Sequence, residues 1–86
     1  MTAVKFVYFA WVRERIGRGE ETLDLPITVK TASDVINHLR SLGEEYEHAL
    51  TDALALRVAV DQELVSMDES ISSASEIAIF PPMTGG

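Results

Sequence analysis

Apolar residues near the N-terminus alternate in the way that predicts a strand. Residues 3–10, AVKFVYFA, are rich in β-branched and aromatic side chains. Val4, Phe6 and Tyr8 share one face, and the opposite face is also largely apolar. We therefore expect this strand to lie inside a sheet and to make contacts on both faces.

A hairpin is predicted to follow this strand. Residues 13–21, RERIGRGEE, are polar and contain two glycines, which favours a loop. Residues 21–26, ETLDLP, place Leu23 and Leu25 on one face and polar residues on the other before Pro26. This pattern predicts a second strand that is buried on one face only.

The clearest helix is predicted after Thr31, which can cap it, with Asp34 in the first turn near the positive end of the helix dipole. The residues at helical spacing that form its apolar stripe are Val35, Ile36, Leu39 and Leu42. Gly43 is placed to end this helix. Apolar side chains four apart in residues 44–54, EEYEHALTDAL, predict a second short helix or helical turn.

Alternation returns in the C-terminal half and predicts three more strands. Residues 56–61, LRVAVD, form the first, and a turn at DQE leads to the short segment LVS at 64–66. Ile71 is expected to anchor the following loop, and EIAIF at 76–80 ends at Pro81, which cannot extend a ladder. The order of two strands, a helix and further strands predicts an α+β fold: a mixed sheet with one main helix packed on one face.

Length and composition fit one globular domain, since the 86 residues are 47% hydrophobic and 24% charged. The chain has no cysteine, which excludes disulfides, thiolate zinc sites, iron–sulfur clusters and a cysteine nucleophile, and fits a cytoplasmic protein. No apolar run approaches the ~20 residues that span a bilayer. The N-terminus lacks the basic start and cleavage site of a secretory signal. We expect a soluble, unprocessed protein.

The charge of the chain argues against two classes of partner. Its formal net charge is −7, whereas nucleic acids and anionic membranes attract clustered Lys and Arg. From Glu44 onward, Arg57 is the only basic residue among nine acidic ones. This acidic half is either an ordinary solvated face or a field that steers the chain toward a basic partner.

Internal active-site chemistry is not predicted. The two histidines, His38 and His48, have no nucleophile and orienting acid at a suitable spacing, so surface or packing roles are expected. The segment RIGRGEE is too short and acidic for a phosphate loop. The carboxylates are scattered, and no pair stands out for acid–base work.

The C-terminal segment FPPMTGG is the strongest candidate for chemistry. Pro81 and Pro82 favour an extended chain that projects from the last strand. Gly85 and Gly86 lack a Cβ, so this end fits a passage too narrow for other residues. The terminal carboxylate is ionised at neutral pH and is a poor electrophile, so another enzyme must activate it, for example as an acyl-adenylate. The alternative is an ordinary disordered end.

Three segments resemble the family of molybdopterin synthase small subunits, the sulfur carriers of molybdenum-cofactor synthesis. FPPMTGG at 80–86 closely resembles the family's terminus, FVYFAWVRERIG at 6–17 its first strand and following loop, and AVDQELVS at 59–66 its central hairpin. The matching residues in the first strand and loop are Phe9, Ala10, Arg13 and Glu14. The resemblance covers nearly the whole chain in order.

This resemblance implies a β-grasp, ubiquitin-like domain at residues 1–80 and a flexible Gly-Gly tail at 81–86. In the family, a ubiquitin-activating-like adenylyltransferase uses ATP to adenylate the terminal carboxylate, which becomes a thiocarboxylate. The tail then enters a pocket of the large subunit and donates sulfur to cyclic pyranopterin monophosphate, which builds the dithiolene. The small subunit is implied to hold no cofactor or metal, to lack activity of its own, and to work in a heterotetramer.

The resemblance also implies roles for individual residues. Gly86 carries the adenylate and then the thiocarboxylate, and Gly85 supplies the thin passage. The remainder of the inserted arm is Pro81, Pro82, Met83 and Thr84. The partner-docking positions are Phe9, Leu64 and Phe80. The chain departs from the family at SSASE, where Asp and Gly are common, and at Met83, where a smaller aliphatic residue is common.

Three other functions stay open at this point. A thiamine-pathway sulfur carrier also ends in two glycines, although such chains are usually shorter and lack the double proline. A ubiquitin-like protein modifier would be conjugated through Gly86 to lysines of its targets. A plain binding module would carry the tail by accident. The β-grasp ferredoxins are excluded because the chain has no cysteine.

Overall fold

The computed structural model describes residues 2–51 and 55–82. In chain order its elements are β1 (Thr2–Tyr8), α1 (Ala10–Ile16), β2 (Glu20–Leu25), α2 (Ala32–Arg40), α3 (Glu44–Ala49), β3 (Arg57–Val60), β4 (Glu63–Val65) and β5 (Glu76–Phe80). The strands form one sheet in the order β2-β1-β5-β3-β4. Strands β1 and β5 are parallel, and the other neighbouring pairs are antiparallel. The predicted mixed sheet is confirmed.

The core lies between one face of the sheet and the helices. Phe6 and Ile77 are fully buried on the sheet side, and Leu39 of α2 is fully buried opposite them. Ile71 is 6% exposed, so its predicted role as a loop anchor is confirmed. Strand β1 lies inside the sheet, between β2 and β5, as predicted. The prediction that both its faces are covered was wrong, because Lys5 on the second face is exposed and Phe9, just after the strand, is 48% exposed. The reason is that the helices pack on one face of the sheet only.

Helix α1 replaces the hairpin loop predicted at residues 13–21. Its buried residues, Val12 and Ile16, lie four apart and therefore on one helical face. Gly17 ends the helix with a left-handed φ of 90°, and its N–H donates to the Arg13 carbonyl at 2.9 Å. Only two positions of α1 are buried, and they are separated by Arg13, Glu14 and Arg15, so the periodic signal was too weak for the helix to be predicted.

The start of α2 confirms the sequence prediction, but its end does not. Thr31 caps the helix, and Asp34 closes a capping box by accepting from the Thr31 N–H at 3.2 Å. The helix ends at Arg40, and Leu42 is 43% exposed outside the apolar stripe. The chain leaves α2 early because Gly43 serves as the N-cap of α3. This confirms a helix within 44–54, of which residues 52–54 lie outside the described residues.

Strands β3 and β4 are joined by a two-residue turn, Asp61-Gln62. The φ angles of these residues are 49° and 73°, the left-handed values that a tight hairpin of this type requires at both positions. The Asp61 carboxylate also accepts from the backbone N–H groups of Ser75 and Glu76, both at 2.9 Å. Asp61 therefore joins the hairpin to the start of β5.

Replacing Gln62 by glycine is expected to stabilise the fold. A side chain at φ 73° is strained, and relief of about 1–2 kcal/mol outweighs the chain entropy of about 0.4–1 kcal/mol that glycine adds to the unfolded state. A net gain of ~1 kcal/mol corresponds to a Tm rise of roughly 4–8 °C in a domain of this size. Thermal unfolding measures it, with Gln62→Ala as the matched control that keeps the strain. A Tm for Gln62→Gly at or below that of Gln62→Ala contradicts the prediction.

Candidate functional site: an open sheet face at the root of the tail

The sheet face opposite the helices has an apolar row at its centre. Val7 pairs with Ala78, Ala78 with Ala59, and Ala59 with Leu64. Directly paired residues project from the same face of a sheet, so these four side chains form one row across four strands. Leu64, at the end of the row, is 66% exposed. Small residues in the middle leave a shallow apolar surface.

Two aromatic rings lie next to this row, at the end of β5. Phe9 and Phe80 pack edge to face with ring centroids 6.3 Å apart. The Phe9 N–H donates to the Ile79 carbonyl at 3.2 Å, which holds the two strand ends together. The open-face patch is defined here as Val7, Phe9, Ala59, Leu64, Ala78 and Phe80. It contains all three residues that the sequence suggests for docking.

A sharp bend of the backbone fixes the position of Phe9. The next residue, Ala10, has φ 53°, a left-handed conformation that costs an L side chain about 1–2 kcal/mol. Through this residue the chain turns from β1 directly into α1, so Phe9 stays on the open face while Val12 enters the core. Strain of this kind is concentrated at functional surfaces. No sequence pattern revealed it.

The tail begins beside the open-face patch. Strand β5 ends at Phe80, and Pro81 and Pro82 continue from it, half-buried. The rest of the predicted arm, residues 83–86, lies outside the described residues. The assignment of Gly86 as the reactive residue and the division into a domain at 1–80 and a tail at 81–86 stay predictions.

An open groove extends the patch toward the edge of the sheet. It has a volume of about 430 Å³ and lies where β3 and β4 diverge. Its lining residues are Leu56, Arg57, Val58, Leu64, Val65, Ser66 and Met67. Leu64 belongs to both the groove and the patch, and Arg57 pairs with Phe80. The groove and the patch therefore adjoin at Leu64.

On the core side of the sheet, Glu21 accepts three hydrogen bonds. The hydroxyls of Tyr8 and Tyr46 donate to its Oε2, each at 2.7 Å, and Arg18 Nη1 donates to its Oε1 at 2.9 Å. The Glu21 side chain is only 12% exposed. This network joins β1, β2, α3 and the segment after α1. This network was not predicted, because Tyr8 and Tyr46 lie 13 and 25 residues from Glu21 along the chain.

The network sets the ionisation of its members. Burial raises the pKa of Glu21, but the bonds from Tyr8, Tyr46 and Arg18 together outweigh burial and lower it below its usual value. Burial, and then the bond to Glu21, raise the pKa of Tyr46 to about 12 and that of Tyr8 still further. Glu21 is thus charged and both tyrosines are neutral at physiological pH. The arrangement is structural.

The described residues offer few other groups for chemistry. His38 is half-buried on α2 and His48 is exposed on α3. Within residues 2–51 and 55–82, no three His, Asp or Glu side chains are grouped to hold a metal ion. The helices described are all too short and polar to cross a membrane.

Known proteins resemble this chain over nearly its whole length. The family model described as ThiS family matches residues 6–86. The molybdopterin synthase sulfur carrier subunit of Escherichia coli is 36% identical over 85 residues, covering 96% of this chain and 99% of that protein. The subunit of the same name from Dictyostelium discoideum is 37% identical over 84 residues, covering 95% of this chain and 94% of that protein.

A solved structure agrees with the fold. The putative molybdopterin converting factor, subunit 1, of Pyrococcus furiosus superposes with a TM-score of 0.75 at 25% identity, covering 96% of this chain and all of that one. Together with the mixed five-stranded sheet, this confirms the β-grasp, ubiquitin-like fold.

Proposed function

This chain belongs to the ThiS family, and we propose that it is the sulfur carrier subunit of molybdopterin synthase. Two relatives at 36% and 37% identity that carry this name support the proposal. The observation that carries it is the start of FPPMTGG: Phe80, Pro81 and Pro82 leave the last strand directly beside an apolar surface suited to docking. A carrier needs both parts: a surface that binds a partner, and a tip that reaches the partner's active site.

In the proposed mechanism, the chemistry takes place on the carboxyl group of Gly86. An activating enzyme transfers AMP from ATP to this carboxylate and releases pyrophosphate, which makes the carbonyl carbon electrophilic. A sulfur nucleophile then displaces AMP and leaves a thiocarboxylate. In the synthase, this sulfur bonds to a carbon of cyclic pyranopterin monophosphate, and water then cleaves the C–S bond to Gly86, which leaves the sulfur for the dithiolene and restores the carboxylate.

The chain itself contributes a tail that is long and narrow. From Pro81 to Gly86 an extended tail spans about 20 Å at ~3.3 Å per residue. Gly85 and Gly86 have no side chains to obstruct a narrow channel. The rigid sheet therefore stays on the partner's surface while the tip enters its active site. Holding the sulfur on a protein tip keeps it away from competing reactions.

We propose that the open-face patch docks both the large subunit and the activating enzyme. Phe9 and Leu64 are 48% and 66% exposed and belong to one contiguous apolar patch, and such patches mark interaction surfaces where single exposed apolar residues do not. Both lie around the root of the tail, so docking here aims the tip into the partner. Clusters of this kind supply interface hot spots.

Phe80→Ala is expected to weaken both complexes by roughly thirtyfold or more, which corresponds to the ~2 kcal/mol typical of a truncated hot spot. Calorimetry with each partner measures the affinities. Ile27→Ala is the matched control, because Ile27 is 80% exposed but lies after the C-terminal end of β2, away from the patch. Unchanged affinity for both partners, or a loss of thermal stability in place of affinity, contradicts the docking role of Phe80.

Reconstitution tests the proposed function as a whole. The protein is mixed with the activating enzyme, ATP, a sulfur source, the large subunit and cyclic pyranopterin monophosphate. We expect a thiocarboxylate at the C-terminus and dithiolene product that depends on this chain. If no product forms while isopeptide-linked adducts of the protein accumulate in cells, the protein is a modifier and the proposal is wrong.

A further inference from the structure

Helix α1 displays an arginine stacked on a tryptophan. The guanidinium carbon of Arg15 lies 4.6 Å from the centroid of the Trp11 ring, four residues earlier on the helix. Trp11 is partly buried against the core, so its ring is a fixed platform. Arg15 is exposed. The proposed function makes no use of this pair.

The helix that carries this pair starts beside the root of the tail. Helix α1 begins directly after Phe9 of the open-face patch and contacts β5, the strand from which the tail leaves. A partner that covers the patch therefore comes close to α1.

Along the sequence, the charge of the α1 segment is opposite to that of the whole chain. Residues 10–18 carry three arginines and one glutamate, a net charge of +2 in a chain whose net charge is −7. Arg18 is bound to Glu21. The Arg13 side chain packs against Gly19: a Cβ added to this glycine would lie 3.2 Å from Nε of Arg13. Among the described residues, Arg15 makes no ion pair within 4.0 Å. Within residues 2–51 and 55–82, its guanidinium therefore contacts the Trp11 ring and no carboxylate.

We propose that Trp11 and Arg15 form a preorganised receptor for a carboxylate of the synthase's large subunit. Stacking holds one face of the guanidinium against the ring and leaves its N–H edge directed outward, where a carboxylate accepts two parallel hydrogen bonds. Because the ring restrains the side chain beforehand, less rotamer freedom is lost on binding. An acidic group matches the positive charge of α1. This inference rests on the proposed function, since it takes the large subunit as the partner.

The test measures the affinity of the full-length protein for the large subunit by calorimetry. Arg15→Gln removes the charge, and Arg15→Lys keeps the charge but not the planar fork. Lys30→Gln is the matched control, because Lys30 is exposed in the loop before α2, and its substitution removes one positive charge elsewhere. The titrations are run at two salt concentrations. Charges are screened beyond roughly 10 Å at about 0.1 M salt and beyond roughly 3 Å at about 1 M salt, so the comparison separates a close ion pair from the long-range electrostatic field of the protein.

Arg15→Gln is expected to weaken binding about tenfold at low salt, and Arg15→Lys by about threefold or more. Lys30→Gln should stay within about twofold of the wild type. Unchanged affinity for Arg15→Gln, or equal losses for Arg15→Gln and Lys30→Gln, would overturn the receptor while leaving the proposed function intact. Failure of the wild type to bind the large subunit overturns both.

Discussion

Deletion of Gly86 is expected to abolish sulfur transfer without disturbing the fold. The shortened chain still ends in a carboxylate, but that carboxylate lies about 3.5 Å short of its position in an extended tail. A misplacement of ~1 Å can already cost about a hundredfold in a positioned reaction. ATP-dependent activation and dithiolene formation should both fall to background in the reconstituted assay.

The controls for this deletion separate position from composition. Circular dichroism and thermal unfolding should match the wild type, because residues 83–86 follow the last strand. One residue added after Gly86 should fail equally, since it displaces the carboxyl group in the other direction. Gly85→Val should also fail, because a β-branched side chain does not fit the passage. Near wild-type product from the Gly86 deletion would mean that the tail is an ordinary chain end.

Glu21→Ala is expected to give the largest loss of stability. It leaves the Tyr8 and Tyr46 hydroxyls without their acceptor and Arg18 without its ion pair. Removing one partner of a buried charged network costs about 3–5 kcal/mol, and the 12% exposure of Glu21 places this loss near ~3 kcal/mol. That is a large part of the ~5–15 kcal/mol that stabilises a typical domain. Urea unfolding measures the change in the free energy of unfolding.

Glu20→Ala is the matched control, because the neighbouring Glu20 makes only an exposed ion pair with Lys5 at 3.0 Å and should cost less than about 1 kcal/mol. Acid titration gives a second check on Glu21. Its pKa is lowered in the folded state, so its stabilisation is complete above its ordinary pKa of 4.5 and is lost as the pH falls through the folded value. Glu21→Gln should make the free energy of unfolding less dependent on pH in this acidic range. Equal losses for Glu20→Ala and Glu21→Ala would show that the network does not stabilise the fold.

Sequence periodicity predicted the sheet well because apolar residues alternate regularly along its strands. Val58, Ile77 and Ile79 are fully buried, and the alternation of apolar residues had already marked their strands. Helix α1 could not be predicted in this way, since Val12 and Ile16 alone carry its buried face. The end of α2 was missed because Leu42 continued the apolar spacing after the chain had left the helix.

Only part of the candidate site could likewise be predicted from the sequence. The tail could be recognised from FPPMTGG alone, because two prolines and two glycines are a local pattern. The open-face patch depends on strand order, which brings Phe9 and Phe80 together from opposite ends of the chain. The left-handed bend at Ala10 leaves no trace in composition, since alanine is not a residue that favours it.

The mass of the intact protein, isolated from cells that are making molybdenum cofactor, tests the central claim most directly. The account predicts a species heavier than the unmodified chain by the difference between one sulfur and one oxygen atom, with the change confined to the C-terminal peptide that ends in Gly86. The Gly86 deletion should lack this species. A chain that keeps an unmodified carboxyl group throughout, while the same cells form the cofactor, would contradict the proposal that this protein carries the sulfur.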